Sequence, residues 1–186
     1  MGSPKPLLDL GGETFLDRLI RLFRETCESV TVVLGHELDR ITQCLKRAGD
    51  AQFVWNPDYK QGQLTSLQAG LRHIPEEVSA VLFTPVDYPA IQPSTIASIA
   101  ARWQEMHGKP LLVVPRWGGR RGHPVLASSF LIPEFLDLPL TSLARDVIHK
   151  HVDRTVYVDV ADPGIVKDID DPRDYAELLS SATKLE

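Results

Sequence analysis

Cysteine, basic charge and long apolar runs are all scarce in this chain, and each scarcity removes a class of answer. The two cysteines, Cys27 and Cys44, sit in helical-looking stretches with no CxxC spacing, which excludes a disulfide framework and a thiolate metal site. Acidic residues outnumber basic ones, 25 to 20, so there is no basic field of the kind a nucleic-acid surface needs. An acidic protein can still bind nucleotides where basic groups and metals are concentrated locally. No apolar run approaches the length of a membrane span and the first residues do not read as a signal peptide, so a reduced, cytoplasmic protein is expected, with no membrane partner. Neither GxGxxG nor GxxxxGK[ST] occurs, so both standard phosphate loops are missing. No Ser-His-Asp constellation stands out. His36, His73, His107, His149 and His151 are scattered near helix ends without metal-ligand spacing.

What is present is a single α/β domain spanning residues 1–186, long enough to bury a core without staples. The start, MGSPKPLLDLGG, is rich in Gly and Pro and reads as irregular. Thr14 can cap a helix with a broad apolar face from Phe15 to Phe23. Residues 30–34, 52–55, 78–83, 111–114 and 155–160 read as strands, and 166–169 as another. Helical patterns cover residues 37–47, 64–73, 94–106, 129–136 and 142–151, with Ser94 as a cap. A closing helix starts at Pro172 and runs to about residue 181. Strands alternate with helices for most of the length, so the sheet is expected to be mainly parallel and covered on both faces. Residues 111–160 break the rhythm and add an antiparallel element.

Five stretches carry residues suited to chemistry. In AVLFTPVDYPAI, an apolar strand ends between Pro85 and Pro89 with one carboxylate, Asp87, held between them. Loops at the carboxyl ends of strands in open α/β sheets are where ligands bind, although an Asp beside Pro is also ordinary turn chemistry. Gly2-Ser3-Pro4-Lys5 and Gly118 to Pro124 both combine glycine with cationic side chains, which suits a phosphate or a plain surface turn. Gly62 to Gly70 opens a helix with Thr65 and Ser66, free to bond a ligand or to cap. In an extended DIDD stretch Asp168 and Asp170 share one face and Ile169 takes the other, while Asp170 or Asp171 is also placed to cap the next helix.

Taken in order, these segments resemble the nucleotidyltransferases that attach a nucleotide to the molybdenum cofactor. MGSPKPLLDLGG resembles the end of that family's signature loop, which runs leucine-alanine-alanine-glycine, then arginine-methionine-glycine, then proline-lysine. GQLTSLQAGL, TPVDYP, RGHPVL and DIDDPRDYAEL match its later motifs at compatible spacing. The Ser66-Leu67 pair and RGHPV are more similar to the cytidylyltransferase branch than to the guanylyltransferase branch.

The resemblance implies a Rossmann-like three-layer nucleotidyltransferase fold of the nucleotide-diphospho-sugar transferase type. It also implies Mg²⁺-dependent transfer of CMP from CTP to the phosphate of molybdopterin, with a molybdoenzyme maturation partner downstream. On it, Asp87 is the main metal ligand, with Asp170 second and Asp168 behind it. Lys5 and the Gly2-Ser3 backbone hold the β- and γ-phosphates. Gly62, Thr65 and Ser66 border the base and ribose, and Arg121 and His123 lie toward the acceptor phosphate, with Lys5, Asp87 and His123 carrying the catalytic step. The family's first strand and the beginning of its loop would precede Met1, so a gap in the sheet and weakened nucleotide binding are expected of an N-terminally truncated domain. Transfer to another phosphorylated or alcohol acceptor, and a catalytically silent nucleotide- or partner-binding domain, are the alternatives.

Overall fold

The computed structural model describes residues 3–182. The N-terminal segment is more ordered than its composition suggests. A 3-10 turn at Lys5–Leu7 leads into a hairpin of β1 (Asp9–Leu10) and β2 (Glu13–Thr14). Helix α1 (Phe15–Arg24) follows, capped as expected by Thr14, whose Oγ1 accepts from the Asp17 amide at 3.0 Å. Next come β3 (Thr31–Leu34), α2 (Leu38–Cys44), β4 (Gln52–Trp55), α3 (Gln63–Leu71) and β5 (Ala80–Phe83). After α4 (Pro93–Glu105), strands β6 (Leu112–Trp117) and β7 (Arg120–Arg121) form a hairpin closed by Gly118-Gly119. Both glycines have positive φ, 55° and 81°, the pattern of a two-residue type I′ turn. The chain ends with β8 (Val125–Ser128), α5 (Ile132–Asp137), α6 (Ala144–Lys150), β9 (Thr155–Asp159) and α7 (Pro172–Ala182).

Strands β5, β6 and β9 run the same way, and β8 is inserted between β5 and β6 in the opposite sense. Strands β3 and β4 pair in parallel. Among the described residues these two form a sheet of their own, with no ladder joining β3 to β5. All four residues of β5 are apolar yet only half-buried, whereas those of β8 are all buried. Val86, just beyond β5, packs against apolar clusters on both sides and bridges the two sheets.

Three local expectations are corrected. Helix α2 stops at Cys44 rather than continuing to residue 47, because the Lys46 and Arg47 amides donate to the buried Asp17 carboxylate at 3.3 and 2.8 Å. Ser94 does not cap α4. Asp162, from far along the chain, accepts from the Gln92 amide at 2.9 Å and the Thr95 hydroxyl at 2.7 Å. Residues 166–169 form no strand, since Asp162 also takes the Gly164 amide and winds Pro163–Val166 into a 3-10 turn. The backbone is extended again at Lys167 but joins no ladder before α7.

Candidate active site

The loop leaving β5 is held from two directions. The Arg18 guanidinium of α1 donates to the Pro89 carbonyl at 2.8 Å, and the Ile169 amide donates to the Asp87 carbonyl at 2.8 Å. The two proline-fixed arms therefore present Asp87 against the segment that leads from the last 3-10 turn into α7. One carboxylate oxygen of Asp87, Oδ1, is buried and has no hydrogen-bond partner among the described residues. Burial pushes this carboxyl above the ordinary range, the Lys5 ammonium pulls it down, and Asp170 and Asp168 push it up again. An ionised oxygen in such a place is stabilised by an added cation.

The acidic pair takes the alternation read from sequence. Ile169 is fully buried while Asp168 and Asp170 are exposed on the other face. Capping falls to Asp171, whose Oδ1 accepts from the Arg173 and Asp174 amides at 2.6 and 3.0 Å, with Asp174 returning bonds to the amides of Asp170 and Asp171. This leaves the Asp170 carboxylate free of the cap, and it pairs with Lys5 Nζ at 2.5 Å. The pair is solvated, so it is weak and readily exchanged for a polyanionic ligand. Ser3 lies exposed beside this pair in sequence, and Gly2 lies outside the described residues.

The RGHP segment is brought to the same place. Gly122 donates its amide to the Pro115 carbonyl and His123 donates its own to Ile165 at 2.9 Å, so the hairpin sits on the 3-10 turn that precedes Asp168. The His123 ring lies 4.6 Å from the Tyr88 ring, centroid to centroid, immediately beside Asp87 in sequence. Burial lowers its pKa to about 4, against the Phe83 carbonyl and the Asp168 charge, which both favour the proton. His123 is thus held as a neutral ring near pH 7. Arg121 is exposed, its guanidinium 4.9 Å from the Tyr157 ring centroid.

This state of His123 has a pH signature. The unfolded chain takes up a proton near pH 6.5, whereas the folded ring waits until about 4. Its contribution is therefore complete above pH 6.5 and is lost as pH falls toward 4, by about 3 kcal/mol across that window. Asp87, with its carboxyl raised, acts in the opposite sense and favours the fold at low pH. Melting curves of the parent and of H123Q between pH 6.5 and 4 should therefore diverge, the variant losing less stability. Parallel curves would refute a neutral buried ring.

A second group of polar side chains stands at the carboxyl end of β4. Asn56 is 2% exposed and donates through Nδ2 to the Thr65 and Ser66 hydroxyls at 2.9 and 3.0 Å. Thr65 is also buried and donates to the Gly62 carbonyl at 2.8 Å, so its proton is used locally at the head of α3, the second of the two expected uses. Gly62 keeps φ near +116° at the head of α3, a conformation that suits glycine. Neither Asn56 nor Tyr88 stands out as a site residue in the sequence. The available signal was an Asn at the end of a short strand, its backbone fixed as extended by the Pro after it.

Lys5, Asp87, Tyr88, His123, Asp168 and Asp170 are thus gathered at one site. Among the described residues no three metal-ligating side chains converge tightly enough to cage a cation alone. The orphaned Asp87 oxygen beside Asp170 nonetheless fits Mg²⁺, which is usually bound by one or two carboxylates, waters and substrate phosphates. No helix among the described residues is long and apolar enough to cross a membrane.

Residues 1–155 match the MobA-like NTP transferase domain family. The chain is 26% identical to the molybdenum cofactor cytidylyltransferase of Escherichia coli strain K12 over 185 residues, covering all of this chain and 92% of that protein. Its fold is similar to that of a nucleotidyl transferase from Methanothermobacter thermautotroptrophicus, with a TM-score of 0.78, 21% identity, and 98% and 86% of the two chains covered. It is also similar to the manganese complex of Rv0371c from Mycobacterium tuberculosis H37Rv, at TM-score 0.71 and 22% identity, covering 96% and 92%.

Proposed function

This chain belongs to the MobA-like NTP transferase family, and from that premise we propose that it transfers CMP from CTP to the terminal phosphate of a molybdopterin-type acceptor. It is a nucleotidyltransferase, and the finer reading is supported by likeness to the cytidylyltransferase along the whole chain. The observation that carries the chemistry is the buried Asp87 oxygen, without a partner among the described residues, on a carboxylate that feels the charges of Lys5, Asp170 and Asp168.

In this reading an acceptor phosphate oxygen forms a bond to the α-phosphorus of CTP as the bond to the β-phosphate oxygen breaks, and pyrophosphate leaves. Alignment and charge neutralisation carry such a step, with no covalent intermediate on the protein. Lys5 leaves Asp170 for the β- and γ-phosphates, with the Ser3 backbone alongside. Asp87 and Asp170, with Asp168 at the margin, hold Mg²⁺. That ion supplies neutralisation of charge on the phosphate oxygens. Gly62 and Ser66 border the nucleoside. Arg121 binds the acceptor phosphate, and His123 with Tyr88 forms the neutral wall that positions Asp87. Maturation of a molybdoenzyme would consume the product.

The test is pyrophosphate release with CTP, GTP or ATP, Mg²⁺ and molybdopterin. Release with CTP and molybdopterin together is expected. Preference for GTP, or for a different phosphorylated or alcohol acceptor, overturns the proposed substrates. Nucleotide binding without release under any pairing points to a silent binding domain.

A further inference from the structure

The polar network at the head of α3 contains one proton that the fold leaves over. The Asp58 amide, which can only donate, donates to Asn56 Oδ1 at 3.0 Å. That bond fixes which way the Asn56 amide faces, so Nδ2 must point at the two hydroxyls. Its two protons go one each to Thr65 and Ser66. Thr65 passes its own proton to the Gly62 carbonyl. Ser66 accepts from Asn56, and among the described residues no acceptor takes its proton.

We propose that Asn56 is a positioning residue that holds Ser66 as a hydrogen-bond donor, so that Ser66 recognises an acceptor atom of the bound nucleoside. The placement agrees. Asn56 is the residue after β4, its amide continuing the ladder to the Leu34 carbonyl, so it stands at the carboxyl edge of the β3–β4 sheet. Leu67, next to Ser66, packs in the same cluster as Phe83, the last residue of β5 before the Asp87 loop. Ser66 is half-buried on the first turn of α3, where a water-shielded donor discriminates strongly against a ligand edge that also donates. Cytosine offers acceptors at O2 and N3. Thr65 has no such role, because its one proton is taken by a backbone carbonyl.

This inference rests on the nucleotidyltransferase reading, so its test separates the two. Affinities for CTP and for inorganic tripolyphosphate, each with Mn²⁺, are measured by calorimetry on the parent, S66A, N56D, N56A and the paired variants. An aspartate at position 56 accepts where Asn56 donates, which draws the Ser66 proton inward. S66A and N56D should each weaken CTP about tenfold, the worth of one hydrogen bond in a shielded site. N56D should add little on the S66A background. Tripolyphosphate affinity should stay within about twofold throughout, which a merely structural role for Asn56 would not allow. Should the buried charge of N56D prevent folding, N56A gives the same comparison, with a smaller CTP loss that vanishes on the S66A background. T65V should leave the ratio of the two affinities unchanged. Additive losses, equal losses for both ligands, or no loss in S66A overturn the role of Asn56 while leaving the enzyme reading intact. A parent that binds neither ligand overturns both.

Discussion

Replacing Asp87 by asparagine should leave the protein at least as stable as the parent while removing at least about a hundredfold of its activity, the usual cost of one well-aimed charge-stabilising group. The two effects share a cause. Asp87 Oδ1 is buried without a partner among the described residues, and Asp168 and Asp170 add repulsion that opposes the pull of Lys5. An ionised carboxylate in that setting is a net cost to the fold, discounted because part of the group still reaches solvent. Neutralising it should return about 1 kcal/mol, a rise of roughly 2–4 °C in Tm for a chain of this size. The same change removes the atom proposed to hold a divalent ion. Mn²⁺ with CTP should therefore raise the Tm of the parent and not that of D87N. A variant that is less stable than the parent yet still responds to Mn²⁺ would show that Asp87 is a structural carboxylate.

Such a residue is legible in sequence because its setting is local. An apolar run, a proline on either side and one acid fall within a dozen residues, and the strand's end dictates where the side chain stands. The alternation of Asp168, Ile169 and Asp170 is local too, and the fully buried Ile169 confirms it. So is the cap on α7, where Asp171 and Asp174 lie three residues apart. The features that stayed hidden depend on long-range carboxylates. Asp17 ends α2 from about thirty residues away, and Asp162 anchors the start of α4 from about seventy. A buried acid of this kind leaves no periodic trace, since most of its donors are backbone amides, which every residue but proline possesses. The roles of Asn56 and His123 were obscured similarly. Hydrogen-bond capacity and charge state depend on the surroundings a side chain acquires on folding, and a histidine that packs on Tyr88 reads, in one dimension, like one that faces a ligand.

The same dependence on distant backbone makes Gly122 the position where one added carbon should do the greatest structural harm. A Cβ there would lie 2.1 Å from the Ile165 carbonyl oxygen and 2.6 Å from its carbon. Neither atom can yield easily. The His123 amide donates to that carbonyl, Ile165 is fully buried, and Asp162 pins the turn through Gly164. G122A should cost about 3 kcal/mol, the upper end for overpacking, which lowers Tm by roughly 6–12 °C. Gly119 supplies the contrast, with positive φ but no atom within 4 Å of an added Cβ. There alanine strains only its own backbone, by about 1–2 kcal/mol. Equal losses in the two variants would show that the hairpin gives way freely at Ile165. The larger loss in G122A should come with weaker CTP binding, because the displaced turn leads directly to Asp168 and Asp170. His123, pulled from Tyr88, would also lose the burial that keeps it neutral, so its pKa should rise toward the ordinary 6.5. An NMR titration of the His123 ring in G122A, compared with G119A, reads that coupling between backbone packing and the electrostatics of the site.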